Sequence, residues 1–294
     1  MPTKRLGVLQ KLIPRPGDGR VVLAVFMLGW TFVVLVPLLG AAVTSFLQTR
    51  GIAWTLSPSL NAYNDIIFTG RWEVIVRTLL MSGLVTLVSL AVGFPFALWL
   101  AKHARSGWLK QATFIAMTVP LFLDPSARTL VWRALLGTTG IVNTGLIGAG
   151  LIDAPLDWLL FSNFAVAFGL IAPYFPNMVW PIYLAILLID DELIAAARDI
   201  GASPFQALRD VIVPLSLSGV AAGIVFTFVP VLGDNVATRL LGGGKKEYLA
   251  DSVTSLVTTM NYSGAAAFAT IVLALTAIFI GMFGVLEARA RGRQ

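Results

Sequence analysis

The side chains best able to handle a charged molecule in this sequence stand inside or beside long apolar stretches. Asp124 and Arg128 lie four apart, which puts them on one face of a helix. They either pair with each other or face a polar cavity. Asp234 and Asn235 follow Pro230, a residue that withholds a helical N–H and so leaves a carbonyl free nearby. Tyr174 stands between Pro173 and Pro176. It either packs or offers an aromatic wall suited to a cation. An ionised side chain facing lipid costs about 2.5–3.5 kcal/mol or more, so these groups must face protein or a polar path. The chemistry on offer is non-covalent: holding and passing a polar solute at membrane depth.

Covalent and metal chemistry have little to work with. There is no cysteine, hence no thiolate, disulfide frame or thiolate metal site. His103, the one histidine, sits in a basic segment and reads as a solvated juxtamembrane residue. "GGGKK" (Gly242–Lys246) has the look of a phosphate loop but fails the pattern. Arg239 occupies the place of its first glycine and Lys246 that of its Ser/Thr. The chain is therefore expected to hydrolyse nothing and to hold no cofactor.

The elements that must position these groups are membrane helices. Of 294 residues 57% are hydrophobic and 12% charged, against about 25% charged in soluble domains. Stretches free of Asp, Glu, Lys and Arg cover Val21–Thr49, Thr78–Ala101, Trp158–Ile189, Val211–Gly233 and Ser252–Leu286. Each exceeds the roughly 20 residues a helix needs to cross the hydrocarbon. The pattern predicts an all-α polytopic membrane protein with spans near 21–46, 76–101, 111–136, 162–187, 217–235 and 264–286. The first run is too long for a signal-peptide core and reads as a retained span. Residues 1–20 and 289–294 form the flanking segments of a 21–288 membrane domain. "ALLGTTGIVNTGLIGAGLI" (Ala134–Ile152) is uncharged, but its glycines and Thr/Asn mark it as an outer or re-entrant segment. With six spans, one side collects 13 of the 21 basic residues, including Lys102, Arg198, Arg209 and Arg289. Positive charge stays inside, so both termini and the 188–216 loop are expected in the cytoplasm. The +6 net charge therefore points to membrane flanks, not nucleic acid.

That cytoplasmic loop is ordered by its own composition. Asp191–Ile200 favours helix, and Gly201 follows where a left-handed residue is wanted. Ser203-Pro204-Phe205-Gln206 then reads as a capping box with proline at the first helical position. The sequence predicts helix, tight turn, and a second helix over roughly Pro204–Val211 that ends before Pro214. Phe205 and Leu208 share one face beside Arg209 and Asp210. An amphipathic helix resting on lipid is the simpler reading, but such helices usually carry a Lys/Arg-rich polar face. The mixed charge here suits a protein groove.

This loop resembles the "EAA" loop of permease subunits in type I binding-protein-dependent ABC importers. The pattern is Glu-Ala-Ala, three residues, Gly, nine residues, Ile, one residue, Leu-Pro. Here it reads Ala195-Ala196-Ala197, Gly201, Val211 and Val213-Pro214 at identical spacing. Ala195 replaces the glutamate, and Glu192, one turn earlier, is placed to substitute for it. The resemblance extends along the chain and is strongest to spermidine/putrescine-type permeases, through "GFPFALWLAKH" (Gly93–His103) and "PYFPNMVWPIY" (Pro173–Tyr183). In "PLFLDPSARTLVW", Arg128 and Trp132 match that group, while Phe122 and Leu130 replace its aromatics. Leu240–Gly243 matches its Leu-Leu-Gly-Gly, with Arg239 where an acidic residue is common.

The resemblance implies half of a translocation path in a bacterial inner membrane. It also implies a homologous permease partner, two ATPase subunits that bind ATP and Mg, and a soluble binding protein that delivers a small solute. A polyamine or related amine is the expected solute, with an anionic or zwitterionic one as alternative. An ion-coupled secondary transporter would want an inverted repeat and paired membrane carboxylates, neither of which is evident. A membrane scaffold would leave the in-span charges without a use.

Overall fold

The computed structural model describes residues 18–50, 53–104 and 106–291. The first helix, α1 (Asp18–Thr44), is apolar all round, as a helix surrounded by hydrocarbon must be. Its side chains are exposed over residues 21–40, and it leans on the last helix of the chain. A hairpin follows, β1 (Leu47–Arg50) antiparallel to β2 (Ala53–Pro58), then a short helix α2 (Asn61–Phe68). The hairpin is an addition to the expected helices.

Next, α3 (Trp72–Leu98) runs into a π-turn, Trp99–His103, closed by the Ala104 N–H donating to the Trp99 carbonyl at 2.9 Å. Then come α4 (Gly107–Phe122), α5 (Pro125–Leu136), α6 (Ile141–Gly148) and the long α7 (Asn163–Leu187). The 188–216 loop supplies α8 (Asp191–Asp199) and α9 (Pro204–Ala207), followed by a π-turn (Leu208–Ile212) and α10 (Val213–Leu232). Two short helices, α11 (Val236–Gly242) and α12 (Leu249–Thr258), lead to α13 (Tyr262–Arg291).

Among the described residues, six helical stretches are long and apolar enough to cross a membrane. The third differs from the expected continuous span over 111–136. It breaks at Leu123, and Asp124 caps the new helix by accepting from the Ser126 and Ala127 N–H groups at 2.8 and 3.1 Å. Pro125 at the first helical position completes the restart. Length and composition alone pick out Pro125–Gly148 as the third stretch. Packing favours α4 plus α5 as the crossing unit. Phe114 of α4 meets Trp180 edge-on at 4.8 Å, and Trp132 of α5 meets Phe168 at 4.8 Å. The broken helix thus runs antiparallel along α7, and the α6 region lies at the opposite end of α7 from α8.

A second difference concerns Pro214. The helix begun at Pro204 does not stop before it; the stretch Pro204–Leu232 is helical throughout. A proline inside a helix removes one N–H and crowds the carbonyl four residues back. The widened π-turn at Leu208–Ile212 sits on the residues where that crowding falls, and it lets the helix continue.

The core is built where α7 packs against α10 and α3. Near the end of α7 that leads into the knuckle, Met178, Val179, Ile182 and Ile186 are buried with Ala97, Ala101 and Ile212. Toward the other end, Val166 and Leu170 meet Val85, Val231 and Leu241. With lipid outside, apolar burial adds little, so close backbone approach carries the packing. Gly219 and Gly223 of α10 provide it: a Cβ on Gly219 would lie 2.5 Å from the Pro181 carbonyl oxygen.

Candidate functional site

The 188–216 loop folds as a capped knuckle. Asp190 caps α8, its Oδ1 accepting from the Glu192 N–H at 3.1 Å. At the other end, the Gly201 N–H reaches the Arg198 carbonyl and the Ala202 N–H reaches the Ala197 carbonyl. That pair of bonds is a Schellman closure, and Gly201 takes the positive φ it requires, +93°. The Ser203–Gln206 capping box is complete in both directions, at 2.7 and 3.2 Å. Backbone and capping bonds close this turn; α8 has no fully buried residue, although Ile194 packs against the core.

The knuckle presents two large apolar side chains among exposed charges. Ile200 is 89% and Phe205 69% exposed. Glu192, Ala195 and Ala196 are exposed beside them, Ala197 is half-buried, and Leu208 turns inward onto the α7 core. Arg209 faces Asp210 at 3.9 Å across open solvent, a pair of little energetic weight. Pro214 lies half-buried in the first turn of α10.

The candidate path residues separate into two groups. Tyr174 and Asp234 come together: the tyrosine hydroxyl donates to Asp234 Oδ2 at 2.8 Å. The other oxygen of Asp234 accepts from the Val236 and Ala237 N–H groups at 2.9 and 2.8 Å, so this carboxylate also caps α11. Asn235 reaches Thr254 of α12 at 3.4 Å. Trp132 and Tyr174 both pack against the core cluster around Val166 and Leu170.

Asp124 and Arg128 do not pair, contrary to one of the two sequence readings. Asp124 is occupied as a helix cap on an exposed turn. Arg128 folds back to donate to the Pro120 carbonyl at 2.8 Å, a group set at the end of α4. The helix break explains both: it orphans carbonyls at the end of α4 and N–H groups at the start of α5.

Three features have no clear mark in the sequence. Lys102, legible there only as a loop cation, bonds both the Ile189 carbonyl and Asp191 at 2.6 Å. That ammonium holds the exposed Asp191 carboxyl below its usual range. Asn143, fully buried, donates to the Gly137 carbonyl and accepts from the Leu156 N–H, stapling the 137–156 segment. A cavity of about 400 Å³ opens beside α12, lined by Thr238, Arg239, Glu247, Asp251 and Thr254 among others. Burial there pushes the Asp251 carboxyl up to about 6. The pairs 102/189 and 143/156 are contacts between residues distant in the chain, which periodicity does not register.

Comparison with known proteins gives this arrangement a setting. The family model described as binding-protein-dependent transport system inner membrane component matches residues 93–292. The spermidine/putrescine transport system permease protein PotB of Haemophilus influenzae is 31% identical over 228 residues, 77% of this chain and 78% of the relative. Among solved structures, a bacterial ABC transporter involved in the import of the acidic polysaccharide alginate superposes with a TM-score of 0.70 at 16% identity. The match covers 96% of this chain and 98% of that one. A bacterial alginate ABC transporter in complex with alginate pentasaccharide-bound periplasmic protein gives 0.68 at 17% identity, over 92% and 93% of the two chains. At such identity these two structures establish the fold alone.

Proposed function

The chain belongs to the family of inner-membrane components of binding-protein-dependent transport systems, as the permease subunit of an ABC importer, and we propose that it takes up a polyamine or related small amine. In this reading a separate ATPase drives it through the 188–216 knuckle, a homologous permease completes the path, and a soluble protein delivers the solute. The observation that carries the coupling role is the exposed apolar face of an element whose every turn is capped. A helix this polar and unburied gains its order from caps, and leaving Ile200 and Phe205 in water has no stabilising return. A groove on a partner would remove both from solvent. The polyamine assignment draws on the relative's name and on Asp234, an acidic group beside an aromatic hydroxyl. The neighbouring importer of known fold, complexed with a periplasmic protein, supports the soluble partner.

Purification through a tag on this chain is expected to bring down an ATPase in stoichiometric amount. Its absence from a complex that still transports would remove the importer mechanism in favour of ion coupling.

The sign of the solute has its own test. Asn caps helices as well as Asp, so Asp234→Asn removes charge while leaving the start of α11 intact. For an ammonium solute, uptake falls about tenfold or more, the worth of a charge-assisted hydrogen bond. Arg128→Gln, at a residue occupied by the Pro120 carbonyl, leaves uptake near normal. The opposite pattern, measured in cells with the intact binding protein, identifies an anionic or zwitterionic solute.

The positive charge gathered on the knuckle's side supports a cytoplasmic assignment for both termini. Residues 188–216 and α6 lie at opposite ends of α7. A single cysteine at Gly148 is expected to react with an impermeant maleimide added from outside. Reaction only from the cytoplasmic face would reverse the assignment.

A further inference from the structure

Three cytoplasmic chain ends meet at one ammonium group. The π-turn Trp99–His103 finishes α3 and tucks Leu100 and Ala101 into the core. Lys102, between them and His103, is carried toward the end of α7. Its side chain is only 12% exposed, unusual for a lysine beside a membrane surface. Its Nζ donates at 2.6 Å to the carbonyl of Ile189, the last buried residue before the knuckle, and at 2.6 Å to Oδ1 of Asp191, in the first turn of α8.

The two acceptors differ in what they ask of the lysine. Ile189 follows the end of α7, where carbonyls lack helical partners and the helix dipole is negative, so a cation there is favoured twice. Asp191 is 83% exposed and would be well solvated alone. Its bond to Lys102 therefore serves geometry: it fixes the angle at which α8 leaves α7. Asp190 caps α8 from the same elbow. Without Lys102, the α7–α8 joint would keep that local cap and the packing of Ile194 on the core, but would lose its polar tie to the end of α3.

We infer that Lys102 is a positioning residue for coupling, a strut that ties the ends of α3 and α7 to the first turn of the knuckle so that force on the knuckle moves both spans together. The inference rests on the coupling role proposed for the 188–216 loop. In a slack joint, a push on α8 bends residues 188–190 instead of shifting α3 and α7. ATP is then hydrolysed with less transport for each molecule consumed. The strut alters the stroke, not the docking surface, because Ile200 caps the far end of α8 and Phe205 stands beyond it on α9.

The test uses the whole complex in proteoliposomes, with solute-loaded binding protein, and reads solute taken up per ATP hydrolysed. Lys102→Met, which keeps the stem and loses the donors, is expected to lower that ratio about tenfold, the scale of losing a hydrogen bond to a charged group. ATPase activity should remain near normal, a split that a folding defect would not produce. Lys102→Arg, able to reach both acceptors, should restore most of the ratio. Asp191→Asn, at an exposed position where screening is strong, should lower it about twofold. If Lys102→Met transports at the normal ratio while Gly201→Val does not, the strut is wrong and the coupling loop stands. If neither variant changes the ratio, the coupling role of the loop itself fails. Should Lys102→Met not assemble, Asp191→Asn decides: an unchanged ratio there overturns the strut.

Discussion

Phe205→Asp leaves the chain folded in the membrane and silences ATP-driven uptake. The residue is 69% exposed, so the isolated subunit loses almost no packing when it changes. Inside a partner groove the same carboxylate would be buried without a counter-charge, which costs several kcal/mol. Losing even a moderate interface anchor costs about 2 kcal/mol, or about thirtyfold in docking affinity. Gly201→Val should reach the same end through the backbone. Its surroundings are open, with no atom within 4 Å of where a Cβ would stand, but φ is +93°. A β-branched residue strongly disfavours that region, so the Schellman closure opens and Phe205 loses its aim. The measurement is ATPase co-purification and stimulated hydrolysis for each variant. Normal stimulation and uptake in both would end the coupling proposal.

Why this loop is readable in the sequence, and the third span is not, comes down to the range of the interactions. The knuckle is held by bonds within a few residues: Gly201 to Arg198, Ser203 to Gln206. Residue type and spacing specify such bonds directly. Membrane spans are legible for a related reason, since a charge-free run leaves a helix as the way to satisfy its backbone. Asp124 misleads because an in-span carboxylate reads as a charge needing a partner. Here it is a cap, and its partners are the N–H groups of the helix it starts. Pro214 misleads because a proline usually ends a helix, and the π-turn that absorbs it has no sequence signature of its own. Tyr174 with Asp234, and Lys102 with Asp191, depend on how α7 sits against α10 and α3. Each of those four residues is visible in the sequence as a polar group near membrane; its partner is not.

Gly219→Val should be the most damaging single change in the bundle, and it distinguishes close approach from mere apolarity as the source of stability. The position lies on the face where α10 meets α7. An added Cβ would come within 2.5 Å of both the Pro181 carbonyl oxygen and the Ala185 Cβ. Backbone cannot step aside as a flexible side-chain tip can, so the helices must separate. Overpacking a soluble core costs typically about 1–3 kcal/mol. The upper part of that range is expected here, because parting α7 from α10 also disturbs the buried pair Met178 and Gly223 one turn along. If apolar burial held the helices together, valine would be welcome, since it adds hydrocarbon. In a bilayer the exterior is as apolar as the interface, and separation returns nothing. Even Gly219→Ala should lower the thermal stability of the detergent-solubilised chain, since alanine carries the same clashing carbon. Gly83→Ala, where a Cβ meets nothing within 4 Å, is the control that should leave it unchanged. Equal melting temperatures for Gly219→Ala and Gly83→Ala would show that α7 and α10 have room to spare, and that their contact is not what sets the bundle.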